Sequence, residues 1–151
     1  MSISSDPSTP ARIAELGATI TGIVSAKDPP PAKWDTAELP ALYVLTGGAD
    51  YTHEGDDLRS DIRIYRIQVA VLSVGVANAY LRETRCRPLI VAVRDFFDAR
   101  PSLGGLAGVS DVRVVRDSGV VILPEYDNLF IGFELQLRVV EYSQLVFAES
   151  E

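Results

Sequence analysis

His53 is the only histidine in the chain, so any Ser/His/Asp or Cys/His arrangement has to run through it. It stands between Thr52 and Glu54 in a polar stretch, where a solvated loop imidazole is the simpler reading. Cys86 sits between Arg85 and Arg87, and neighbouring cations lower a thiol pKa. Adjacent residues of a helix point in different directions, however, which makes Cys86 an ordinary helical thiol. The acidic run "DYTHEGDDLRSD" (Asp50–Asp61) invites comparison with a calcium loop. An EF-hand loop needs Asp or Asn at its third and fifth positions and a bidentate Glu at its twelfth. Here those positions hold Thr52, Glu54 and Asp61, and Asp57 occupies a position that is normally apolar. Only Asp50 and Gly55 fit, so the run reads as a solvated acidic loop or one that docks an arginine from a neighbour. The glycine clusters "TGGADY", "LGGLAG" and "DSGVV" lack the lysine and spacing of a phosphate loop. No catalytic residue, cofactor or metal ligand is assigned.

The elements that must carry these residues are unusually extended. "DIRIYRIQVAVLSV" (Asp61–Val74) and "NLFIGFELQLRVVEY" (Asn128–Tyr142) read as strands that would each reach ~40 Å at ~3.3 Å per residue. A domain of this length has a radius of gyration of about 15 Å. In the second run Leu129, Ile131, Phe133, Leu135, Leu137 and Val139 share one face, while Phe130, Gly132, Glu134, Gln136 and Arg138 share the other. In the first, Ile62 and Ile64 are out of phase with Tyr65, Ile67, Val69 and Val71, which predicts a bulge near Tyr65. Thr9 as N-cap and Pro10 behind it predict a helix running to about Ser25. "KDPPPAKW" (Lys27–Trp34) is an extended connector. Ala41–Thr46 reads as a strand closed by Gly47 and Gly48, and Asp50–Ser60 as a loop. Ala77–Ala99 is a second helix, interrupted or kinked at Pro88, burying Leu81, Leu89, Ala92, Phe96 and Phe97. Val109–Arg116 and Val120–Leu123 read as a hairpin across Asp117–Gly119.

Composition sets outer limits. A 47% hydrophobic content over 151 residues supports a single core. Fourteen basic against twenty-one acidic residues leave a net charge of −7, which disfavours phosphate binding. One cysteine cannot form an internal disulfide. The N-terminus shows no signal-peptide pattern, and no apolar run approaches the ~18 residues of a membrane span. The expected fold class is α+β: a single two-layer domain with an antiparallel or mixed sheet of long strands and two helices packed on one face. Residues 1–9 are read as a lead-in, 10–142 as the domain and 143–151 as a tail or arm, since "QLVFA" is apolar.

The segments "ARIAELGATITGIVSA", "LPALYVLTGGADY", "YRIQVAVLSVG", "PLIVAVRDFFDARPSLGG" and "YDNLFIGFELQLRVVEY" together cover about Pro10–Tyr142. In their order the chain resembles the tail-terminator and tail-completion (minor tail) proteins of long-tailed bacteriophages. That resemblance implies a non-enzymatic virion subunit forming a homo-oligomeric ring, commonly a hexamer. Such a ring caps the tail tube, stops its growth and joins the tail to the head connector or neck protein. It implies assembly in the host cytoplasm, DNA passing through the lumen without specific binding, and no membrane contact. A head-closure or neck subunit is the nearest alternative; a small-molecule-binding or enzymatic α+β domain is the alternative from another class. Strand edges too long for a monomer to shelter agree with a ring, because neighbours can cover them. The expected contact residues are Tyr51, Asp56, Asp57 and Arg59 in the acidic stretch, Arg82, Arg85 and Arg87 on the second helix, and Glu134, Gln136 and Arg138 on the last strand.

Overall fold

The computed structural model describes residues 8–53, 55 and 57–144. Helix α1 (Thr9–Gly17) begins one residue earlier than its sequence signal: Ser8 is the cap, accepting from the Ala11 amide at 3.4 Å, and Pro10 lies in the first turn. The helix ends at Gly17 rather than near Ser25, so the expected length is corrected. A Cβ on Gly17 would lie 2.9 Å from the Leu42 side chain, a measure of how closely the helix lies on the sheet. Ile20 and Ile23 still enter the core, carried by successive tight turns. The apolar spacing was that of a buried segment, not of a continuing helix.

Strand β1 (Ser25–Lys27) runs parallel to the start of β2 (Ala41–His53). β2 forms an antiparallel hairpin with β3 (Leu58–Ser73), so Asp50–Ser60 is mostly strand and not a loop. β4 (Val109–Asp117), β5 (Val121–Leu123) and β6 (Phe130–Gln144) complete a mixed six-stranded sheet. Its order is β1-β2-β3-β6-β4, with β5 also paired to β6. β3 and β6 are the two central strands, of 16 and 15 residues. At ~3.3 Å per residue their ladder is about 45–50 Å long.

The phase break in β3 is resolved differently from the expectation. β3 stays regular against β6 from Leu58 to Ala70, and the bulge lies across from Tyr65, in β2, where Gly47 and Gly48 face Ile64. A Cβ on Gly47 would meet the Ile64 carbonyl oxygen at 2.6 Å, so glycine is what lets the strands close there. Ile62 and Ile64 therefore remain on the face away from the helices. A second irregularity, at Val71 of β3, sits opposite Gly132. A Cβ on Gly132 would lie 1.8 Å from the Val69 carbonyl oxygen.

β4 and β5 do not pair with one another. Both run antiparallel to β6, one after the other. Between them Ser118 donates its amide to the Glu134 carbonyl at 3.0 Å and accepts the Glu134 amide on its hydroxyl at 2.8 Å. Those bonds keep the chain moving along β6 where a hairpin would reverse it. Helix α2 (Ala79–Asp98) is capped by Asn78, which accepts from the Leu81 amide at 2.9 Å. It runs as one helix through Pro88, whose ring lies on the exposed side. Cys86, Leu89, Val93 and Phe97 form its buried stripe; Leu81, Ala92 and Phe96 are only half-buried.

Both helices pack on one face of the sheet. Ile13, Leu42, Ile67, Val93, Phe97 and Phe133 are fully or almost fully buried in the core between them. A smaller cluster lies on the opposite face, where Trp34, Tyr43, Tyr126 and Phe130 pack edge-on or tilted with ring centroids 5.2–6.4 Å apart. The large core stops at Tyr65 and Val139. Beyond it β2, β3 and β6 continue as a three-stranded arm whose β2 part is largely exposed.

Candidate functional site

Alternation along β3 and β6 puts polar residues side by side in the middle of the face opposite the helices. Register pairs Gln68 with Glu134 and Arg66 with Gln136. Glu134 is the hub. Its Oε1 accepts from Arg66 Nε at 2.7 Å and from Gln68 Nε2 at 2.9 Å, and its Oε2 from Gln136 at 3.4 Å. Arg66 also reaches Glu125 at 3.0 Å, and the buried Tyr43 hydroxyl donates to Gln68 Oε1 at 2.7 Å. Burial pushes the Glu134 carboxyl up, but the Gln68 and Arg66 donors outweigh it and hold the group below the usual carboxylate range. Burial, with Glu125 nearby, raises the Tyr43 phenol well above its ordinary value. Every member is satisfied by another, so the network orders this face and holds Glu134 ionised. Glu134 and Gln136 are thus half-buried network members, whereas Arg138 leans toward Asp111 at 3.7 Å.

At the arm end, Tyr51 is 57% exposed, with its hydroxyl accepting from Arg63 at 2.8 Å and the Arg59 guanidinium 5.0 Å above its ring. Arg59 pairs with Asp61 at 2.8 Å. Asp57 is exposed in the turn, and Asp56 lies outside the described residues. The ligand positions weighed for a calcium loop diverge: Asp50 and Asp61 pair with residues on opposite faces of the hairpin. His53 is exposed opposite Arg59.

The arginine run lies at the other end of the ladder. Arg85 borders a groove of about 570 Å³ that Pro40, Val71, Leu72, Val76 and Leu89 line. Arg82 lies one turn before it and has a buried Nε without a partner among the described residues. Arg87 is held by Glu83 at 2.6 Å, a helical i,i+4 pair. Cys86 points inward from this run and is fully buried; burial, with Glu83 adding, pushes its thiol up to about 11, away from nucleophilic use at neutral pH.

Of the ten residues singled out from sequence, the nine other than Asp56 fall into three separate places, of which two lie at opposite ends of the sheet. Sequence reading missed Arg66, Gln68, Tyr43 and Glu125. Arg66 and Gln68 were legible as a polar pair in phase with each other inside an apolar strand. Glu125 was not, because a turn brings it in. The groove was also missed, since its walls come from four separate stretches of chain, around Gly22, Pro40, Leu72 and Leu89. No protein-family model and no curated protein matches this sequence.

Proposed function

We propose that this protein is a structural ring subunit of a phage tail, a tail terminator that caps the tube and joins it to the head connector. The observation that carries the reading is the sheet. Its outer strands leave open edges among the described residues: β1 covers only Ala41–Tyr43 of β2, and β4 borders the other side. Long unpaired edges of this kind invite a neighbour.

The ends of the molecule suggest how neighbours meet. Asp50 and Asp57 are exposed at the arm end and Arg85 at the other, about 45 Å away along the ladder. Such unlike patches cannot meet within one chain. They suit a head-to-tail contact, which closes into a ring when the rotation permits. The nearest alternative, a neck or head-closure ring, uses the same contact and differs in the partner it meets.

Mass determination by light scattering, with electron microscopy of the same sample, tests the reading. A closed oligomer, driven to completion by a tail tube protein, is the expected result. Single copies at every concentration, with tube protein present or absent, would refute it.

A further inference from the structure

We propose that the groove beside Arg85 seats Leu145–Phe147 of a second copy of this chain, with Glu149 set against the arginines. The inference rests on the head-to-tail reading above and names its contact. The groove is lined mainly by apolar side chains, Val71, Leu72, Val76 and Leu89 among them, with Arg85 at its border. Val76 and the nearby Tyr80 are 62% and 74% exposed. Among the described residues Arg85 makes no ion pair and the buried Arg82 Nε finds no acceptor. The place lacks an apolar segment that carries an acid.

The sequence contains one in the right position. Beyond Gln144 come Leu145, Val146, Phe147 and Ala148, followed by Glu149. The segment cannot serve its own groove. Gln144 pairs with Leu58 at the arm end of β3, while Val71 and Leu72 lie near that strand's other end. The separation is about 45 Å, and three residues extend at most ~10 Å. Asp50, Asp57 and Gln144, after which this segment follows in the chain, lie at one end of the ladder, and Arg85 with the groove at the other. One contact therefore joins both pairs of complementary features.

The test uses the full chain with Phe147→Asp, Arg85→Glu, and the charge swap Arg85→Glu with Glu149→Arg. Mass is read by light scattering, and folding by circular dichroism. A labelled peptide of residues 143–150 is titrated against the Phe147→Asp protein, whose own segment no longer competes. Phe147→Asp should abolish the oligomer while leaving the fold intact, and the charge swap should restore what Arg85→Glu loses. Phe147→Asp in the peptide should weaken binding about tenfold or more, and Arg85→Glu in the protein about threefold. Peptide binding to a protein that stays monomeric would uphold the groove assignment and sink the ring. An oligomer untouched by Phe147→Asp, with no peptide binding, would overturn the assignment and leave the ring standing. Loss of tube-protein binding alone on Arg85→Glu, with mass unchanged, would also overturn it, because the groove would then hold a foreign partner.

Discussion

At the scale of single residues, Glu134 sets the behaviour of the sheet's open face. Its carboxylate takes donors from Arg66, Gln68 and Gln136, so removing it leaves Arg66 with Glu125 alone and deprives the Gln68 amide of its acceptor. Glu134→Ala should cost about 2–4 kcal/mol, more than the loss of a surface ion pair. The pH dependence has a definite sign. The folded carboxyl is held below its ordinary value of 4.5, so its stabilisation is present above that pH. It fades as pH falls from there through the lowered folded value. Glu134→Gln should flatten that part of the acid-unfolding curve, measured by denaturant midpoints between about pH 5 and pH 2. An unchanged slope would remove Glu134 from the acid response.

At the scale of elements, the β2 bulge separates two adjacent glycines. A Cβ on Gly47 meets backbone at 2.6 Å, whereas one on Gly48 finds nothing within 4 Å. Gly47→Ala should therefore destabilise by about 2–3 kcal/mol, and Gly48→Ala by less than about 0.5 kcal/mol. Comparable thermal midpoints for the two variants would show that the strands can separate there freely. The same bulge explains why β2 was expected to stop at Thr46. A glycine pair is the ordinary sign of a turn, and here a close strand crossing requires it. The expected hairpin at Asp117–Gly119 failed for a related reason. Those residues suit a turn, but hydrogen bonds from Ser118 to the Glu134 backbone tie the turn to a third strand.

At the scale of the whole molecule, Asp50 and Asp57 are exposed at one end of the long ladder and Arg85 at the other. Reversing one exposed acid at the arm, Asp57→Lys, should weaken head-to-tail contact by about 1 kcal/mol, several-fold in the dissociation constant. The elution volume at fixed concentration should move toward the single copy, and more so at low salt. No movement would take the arm end out of the contact. The proposed ring, if it passes DNA without gripping it, should give little retardation of DNA in a gel at ~50 mM salt. Tight, salt-sensitive binding would count against a passive passage.

The sequence by itself determined the α+β class, the two long strands and the two faces of β6. Alternation puts Ile131, Phe133, Leu135, Leu137 and Val139 together on the face that packs against the helices, and a one-residue slip would turn all of them away from it. It also contained Pro10 at the start of α1 and, in α2, Leu89 and Phe97 of the buried stripe, because helix-start signals and helical periodicity are local. Asn78 as the cap, and Cys86 and Val93 in the stripe, came only with the structure. Tertiary structure alone decided where α1 ends, which strand carries the bulge, and that β4 and β5 follow one another along β6. It alone joined Glu134 to Arg66, Gln68 and Glu125, and placed Arg85 beside a groove at the end opposite Asp57. Each of these depends on which distant backbone a residue meets, and neither propensity nor period encodes that meeting.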